Sequence, residues 1–269
     1  MVSGQLANKL TGRLAAKKVS RDGYGFNAFE NFNIGDLEDE FARGKLKYQF
    51  SENISTKLTI DYSKTESGGS IVELINDSFD NAPSFISTLE LLLDDQAANI
   101  VTEDDLDRTI YQHHRDFMFS ELRNMSLIND LSINGFELKS ITAYGDWLGT
   151  NKESAIRLPG DLLPRYSYFS NISFSQELQL ISPDNDLFEY VAGLYYYKED
   201  YSIGQNFDAG EQGCYPTVWG LSYLEAVAEG KTESQAIIIA EDRQAECESL
   251  PQRSAVVSDF DQVGCMAWR

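Results

Sequence analysis

Seven stretches of alternating polarity run through the chain, and the connections between and after them alternate long, short, long, short, long, short, long. In the first stretch Leu10, Gly12, Leu14 and Ala16 alternate with Lys9, Thr11, Arg13 and Lys17. Successive side chains of a strand point to opposite faces, so one set makes an apolar stripe and the other a charged one. The second stretch repeats the pattern, with Ala42, Gly44, Leu46, Tyr48 and Phe50 against Arg43, Lys45, Lys47 and Gln49. In the third, Leu58, Ile60 and Tyr62 oppose Lys57, Thr59 and Asp61. Short turns are expected at Ser51-Glu52-Asn53, at Asn134-Gly135, the strongest short hairpin signal, and at Ser182-Pro183-Asp184-Asn185. Long polar connections cover Arg21 to Asp36, Glu66 to His114, Gly149 to Arg165, and everything after Tyr201.

This sorting of connections predicts an all-β fold, an antiparallel transmembrane β-barrel segment of about seven strands with long, partly helical extracellular loops. Each stretch is close to the roughly 9–11 residues that a tilted strand needs to cross the hydrocarbon layer. A soluble β-sandwich also alternates, but its loops do not sort by length so regularly. Two groups of aromatic residues fit two membrane interfaces. Tyr48, Phe50, Phe136, Phe188 and Tyr190 stand beside the short turns, and Tyr62, Phe117, Tyr144, Trp147, Tyr168, Phe169 and Tyr196 beside the long loops.

A formal charge of -21 over 269 residues argues against nucleic acid as a partner, since a phosphate binder needs a basic face. The acids concentrate in loops, at Asp94, Asp95, Glu103, Asp104, Asp105 and Asp107 and again from Glu225 to Glu248. The basic residues Lys9, Arg13, Lys17, Arg43, Lys45, Lys47 and Lys57 fall on the polar face, which a barrel turns to its lumen. The apolar face is expected to be nearly uncharged, because a charge at the bilayer midplane costs about 2–4 kcal/mol. The three cysteines, Cys214, Cys247 and Cys265, allow three pairings with one thiol left over.

The chain opens almost directly on a strand with no signal peptide, and seven strands leave two unpaired edges that lipid cannot satisfy. It therefore reads as a piece of a larger barrel.

Several segments are familiar. Gly12-Arg13-Leu14-Ala15-Ala16 with Arg21-Asp22-Gly23-Tyr24, then Arg43-Gly44-Lys45-Leu46 and Leu58-Thr59-Ile60-Asp61-Tyr62-Ser63, resemble the first barrel strands of TonB-dependent outer-membrane receptors. Leu138 to Tyr144, Phe174 to Pro183 and Tyr190 to Tyr196 are similar to later strands of the same family. The resemblance covers the strands from Gln5 to Tyr201. It implies a partial receptor barrel over 1–201, with the plug absent, and a truncated long extracellular loop region over 202–269. It also implies residence in the outer membrane of a Gram-negative bacterium, in contact with outer-membrane lipid. Function is then energised uptake of a scarce small-molecule nutrient such as a ferric siderophore, cobalamin or a glycan. The partners implied are a plug domain and the TonB energy-transducing complex. The rival reading is a soluble all-β carbohydrate-binding module, and a passive porin wall is a third.

Local motifs carry no catalytic site, no metal site and no cofactor. His113-His114, the two histidines of the chain, lie near the acids at Glu103 to Asp107, but without the spacing of a calcium loop. A solvated acidic loop is the expectation. Gly23-Tyr24-Gly25-Phe26-Asn27-Ala28 nominally fits a dinucleotide pattern, yet no amphipathic helix follows it, and it reads as a loop start. No phosphate loop, nucleophile elbow or zincin motif occurs, so the chain is not expected to be an enzyme. Short helices are expected from about Ser84, after Pro83, and from Leu221 to Ala228, ending at Gly230.

Overall fold

The computed structural model describes residues 1–73, 106–154, 160–161, 164–184, 188–208, 210, 212–249 and 254–257. The expected acidic run at 94–105 and the helix expected from Ser84 lie outside them. Nine strands form one antiparallel sheet, in the order β1 (Val2–Ala7), β2 (Leu10–Arg21), β5 (Leu37–Ser51), β6 (Ile54–Ser67), β8 (Phe117–Ile133), β9 (Phe136–Ser154), β10 (Pro164–Ile181), β11 (Val191–Asp208) and β12 (Ser254–Val257). A smaller sheet in the long-loop region has the order β4 (Phe32–Ile34), β3 (Gly25–Asn27), β7 (Thr109–Ile110). The segment that nominally fits a dinucleotide pattern thus supplies strand β3.

The seven stretches read from the sequence are β2, β5, β6, β8, β9, β10 and β11. Strand β1 adds an edge, and it turns into β2 through Asn8 and Lys9, with Lys9 at φ 64. Lys9 is therefore in a turn and not on the face of a strand. Asn134-Gly135 closes β8 onto β9 with φ 51 and 84, the two positive values that a type I′ turn requires. The β10–β11 turn is looser than expected. Pro183 has no N–H to extend the ladder, so residues 182–190 connect the strands. One further rung closes them, in which Ser182 N–H donates to Tyr190 O at 2.9 Å and Tyr190 N–H to Ser182 Oγ at 2.9 Å.

The strands also run further toward the long-loop end than alternation revealed. Gly149 pairs with Phe169, and pairing continues to Ser154 with Pro164, so the connection there is 155–163. Strand β11 continues past Tyr201 to Asp208. Tyr62, Tyr144 and Tyr196 consequently stand within their strands and not at the ends.

Directly paired residues share a face. One row across the sheet reads Leu14, Gly44, Ile60, Met125, Tyr144 and Phe174, and the row beside it, on the opposite face, reads Arg13, Lys45, Thr59, Ser126, Ala143 and Ser175. The apolar face packs against little. Leu14 is 62% exposed and Ile60 51%. Among the described residues the buried apolar side chains are Ile34, Ile110, Cys214, Ala226, Ala236 and Ala240, all in the loop sheet or the helical region and none on the nine-stranded sheet.

The expectation of a nearly uncharged apolar face fails toward the long loops and at β11: Lys198 stands opposite Phe174, Asp200 opposite Ile172, and Arg123 opposite Asp146. Toward the long loops the same face carries the row Lys18, Glu40, Lys64 and Glu121, with alternating sign across four strands. Lys18 Nζ lies 2.7 Å from Glu40 Oε1, and Lys64 Nζ lies 2.7 Å from Glu66 Oε1. Lys18, Glu40, Lys64 and Glu121 lie outside the long connections expected from the sequence, and strand alternation carries them onto this face, where opposite charges pair across neighbouring strands. Trp147 and Phe169 also depart from the expected aromatic belt. They lie on the face of Arg13, with ring centroids 6.1 Å apart, and Trp147 Nε1 donates to Ser120 Oγ at 2.9 Å.

After β11 come a π-helical turn over Gly213–Val218 and two helices, α1 (Trp219–Ala228) and α2 (Glu233–Ser249). Gly230 at φ +80 ends α1, where Lys231 N–H donates to Ala226 O at 3.0 Å. Thr232 and Gln235 exchange side-chain and backbone bonds at the start of α2, a capping box. Cys214 and Cys247 form a disulfide, with Cα atoms 5.6 Å apart, that ties the turn to the end of α2.

Candidate functional site

Six of the seven basic residues read onto the polar face share that face in the pairing register: Arg13, Lys17, Arg43, Lys45, Lys47 and Lys57. Lys9 does not join them, and its Nζ donates to Phe50 O at 2.9 Å beside the turn. Arg43 is neutralised by Asp61 on β6, through Nε to Oδ1 and through Nη2 to Oδ2 at 3.2 Å.

Lys17 stands opposite Phe41, and the remaining four are arranged differently. Arg13 stands directly opposite Lys45, and Lys47 directly opposite Lys57. Like charges in directly paired positions repel, and no ion pair involves any of these four among the described residues. Among the described residues Arg13 donates to the Met1 sulfur, from Nε at 3.1 Å and Nη2 at 2.6 Å. Together with Ser3 and Gln5 of β1 they line a cleft of about 450 Å³. Four cations in an open cleft make a seat for carboxylates or another anionic group.

Across the sheet the same face changes character. Lys139 lies 3.7 Å from Asp130, Arg165 pairs with Glu153, and Asn171 donates to Glu199. At β11 it presents Tyr195, Tyr197 and Tyr201, with the first two rings parallel at 6.4 Å. The basic character is therefore a property of β2, β5 and β6.

A second cluster lies in the long-loop region. Asn27 of β3 is fully buried, and its amide works in both directions: Nδ2 donates to Gln112 O at 2.6 Å, while Oδ1 accepts from Gln112 N–H at 3.2 Å and Phe29 N–H at 3.1 Å. Gln112 Nε2 in turn donates to Asp116 Oδ1 at 2.6 Å and to His114 O at 2.6 Å. Asp116 Oδ1 also accepts Ser154 N–H at 3.1 Å, which links the β6–β8 connection to the end of β9. Beside this network His114 Nε2 lies 2.6 Å from Asp161 Oδ1.

The histidine pair was visible in the sequence, but Asp161, Asn27, Gln112 and Asp116 were not. They sit in separate polar connections, and nothing periodic relates them. Of the acids expected near the histidines, Asp107 turns to its own loop, accepting Thr109 N–H at 2.8 Å.

No family model and no curated protein matches the chain. Its fold is similar to that of the ferric yersiniabactin uptake receptor FyuA from Yersinia pestis, with a TM-score of 0.58 and 13% identity over 77% of this chain and 29% of that one. It is also similar to the siderophore receptor PiuA from Acinetobacter baumannii, with a TM-score of 0.56 and 12% identity over 79% of this chain and 31% of that one. The chain spans less than a third of the length of either receptor, and at these identities the likeness is one of fold.

Proposed function

We propose that this chain forms part of the β-barrel wall of a TonB-dependent outer-membrane receptor that takes up a scarce nutrient, with a ferric siderophore as the leading substrate class. In this reading the wall runs to Asp208, where β11 ends, and the helical segment 213–249 belongs to a long extracellular loop region. The observation that carries it is the nine-stranded sheet with uptake-receptor topology whose apolar face is open, with no buried apolar side chain of its own among the described residues. Lipid is the solvent such a face suits, since the backbone is satisfied within the sheet and the side chains need only hydrocarbon around them. A soluble sugar-binding module would instead bury one face of the sheet against a second layer.

The basic cleft of Arg13, Lys45, Lys47 and Lys57 then belongs to the lumen. Its partner there is an anionic surface, either carboxylates of a plug domain or an anionic nutrient on its way through. Energy comes from the TonB complex acting on the plug, and the wall itself is a passive scaffold.

The test is site-directed spin labelling of the full chain folded in lipid vesicles. Labels at Leu14, Ile60 and Met125 are expected to be relaxed by oxygen, which concentrates in hydrocarbon, and labels at Thr59 and Ser126 by a water-soluble nickel chelate. Equal access of the chelate to both rows, or a monomer that folds without detergent or lipid, would overturn the reading.

A further inference from the structure

His113, His114 and Asp161 each bring one metal-ligating atom to within 4.8 Å of the others. The pair His114 and Asp161 is 47 residues apart in the chain, and each side chain is 15% exposed. The carriers are held from behind. Asp161 N–H donates to Gln212 Oε1 at 2.7 Å, and Gln212 N–H donates to Asp161 O at 3.3 Å. The backbone carbonyl of His114 accepts Gln112 Nε2, and the ring of His113 lies 5.5 Å from that of Phe29. Nδ1 of His113 is buried with no hydrogen-bond partner. A buried ring nitrogen without a partner costs free energy unless something binds it.

We infer that His113, His114 and Asp161 form a binding site for a divalent ion of the zinc class, and that the ion fastens the β6–β8 connection to the β9–β10 connection. Two imidazoles and one carboxylate are the donor set that borderline first-row ions prefer, whereas calcium needs about six to eight oxygens. Bonds of about 2.0–2.1 Å to a tetrahedral ion set neighbouring donors roughly 3.3 Å apart. The 2.6 Å contact between His114 Nε2 and Asp161 Oδ1 therefore opens by less than 1 Å as the ion enters, and the proton shared by the two atoms leaves to solvent. Three protein donors leave a fourth position for water or for a donor atom of a bound molecule. The inference does not rest on the receptor reading, and either can fail alone.

The experiment is titration of the full, untagged chain, folded in detergent, with zinc, cobalt(II) and calcium. Because the chain has two histidines in all, their ring-proton resonances report this site and no other. Zinc is expected to bind at one equivalent and shift both rings, cobalt to give the intense visible bands of a four-coordinate site, and calcium to do neither. D161N keeps a hydrogen-bonding group beside His114 but loses the carboxylate, and zinc affinity should fall by about tenfold or more. Ring resonances of the wild-type chain that ignore zinc, or D161N and H113Q chains that bind zinc as the wild type does, would overturn the inference. The wild-type resonances decide it even where a variant fails to fold.

Discussion

Arg13 and Lys45 face each other across the β2–β5 pair with no carboxylate between them, and Lys47 and Lys57 do the same one pair along and one strand over. A sheet that tolerates two such oppositions gives up stability to keep a positive surface. K45Q in the chain folded in detergent is expected to raise stability by about 0.2–1 kcal/mol through lost repulsion. The urea midpoint measures it, and the gain should shrink in molar salt, where the repulsion is screened. A lower midpoint would mean that Lys45 has a carboxylate partner.

Gly135 sits at φ +84 in the β8–β9 turn, and a Cβ placed there would lie 3.0 Å from Pro183 Cβ of the next turn. G135A meets backbone strain and a crowded neighbour together. A loss of about 1 kcal/mol or more is expected in the same unfolding experiment, while D-alanine at this position, introduced by chemical ligation, should avoid most of the backbone strain.

Asn27 holds the loop sheet to the β6–β8 connection with two hydrogen bonds to the backbone of Gln112, and accepts a third from Phe29 N–H of its own loop. N27A leaves the buried N–H and C=O of Gln112 without those partners, at about 1–3 kcal/mol for each unsatisfied group. Hydrogen exchange should find the amides of Phe29 and Gln112 exchanging faster, with β8 and β9 unchanged. Equal loss of protection in β8 and β9 would show instead that Asn27 supports the whole sheet.

The Cys214–Cys247 disulfide closes a loop of sequence separation 33 that spans α1 and α2 up to Cys247, two residues before α2 ends. Closing a loop of that size stabilises the folded unit by about 3–4 kcal/mol in the chain-entropy account. Reduction should therefore lower the melting temperature of the helical signal and leave the sheet signal in place. Peptide mapping without reduction should recover Cys214 joined to Cys247.

The meander was legible in the sequence because β2, β5 and β6 keep strict alternation around Leu14, Gly44 and Ile60, and because Asn134-Gly135 names its own turn. Strand β1 was not, since it is short and its turn is made by Lys9, a residue with no preference for positive φ. The loop-side strand ends were hidden for another reason. Thr150, Asn151 and Lys152 are polar on both faces, so the period vanishes while the backbone pairing goes on. Helix α2 buries only Ala236 and Ala240, too slight a stripe to read. The six basic residues of one face followed from alternation alone, but their division into Arg43, which faces an acid, Lys17, which faces Phe41, and Arg13, Lys45, Lys47 and Lys57, which face one another, needed the register. The cluster of His113, His114 and Asp161 is a tertiary fact that no local pattern announces.

The parallel pairing of β3 with β7 sets an order in time. Most partners in the large sheet are neighbours in the chain and close by short turns or single loops, but Asn27 must find Gln112 across 85 residues. Distant contacts of this kind become affordable only after the intervening ladders have brought their ends together. The small sheet is therefore expected to assemble last and to open without unzipping the meander, which hydrogen exchange would show as faster exchange at β3 and β7 than at β8 and β9. On this expectation the bonds around Asn27 and Asp116 would govern any opening of the loop end, while the strands beneath keep their register.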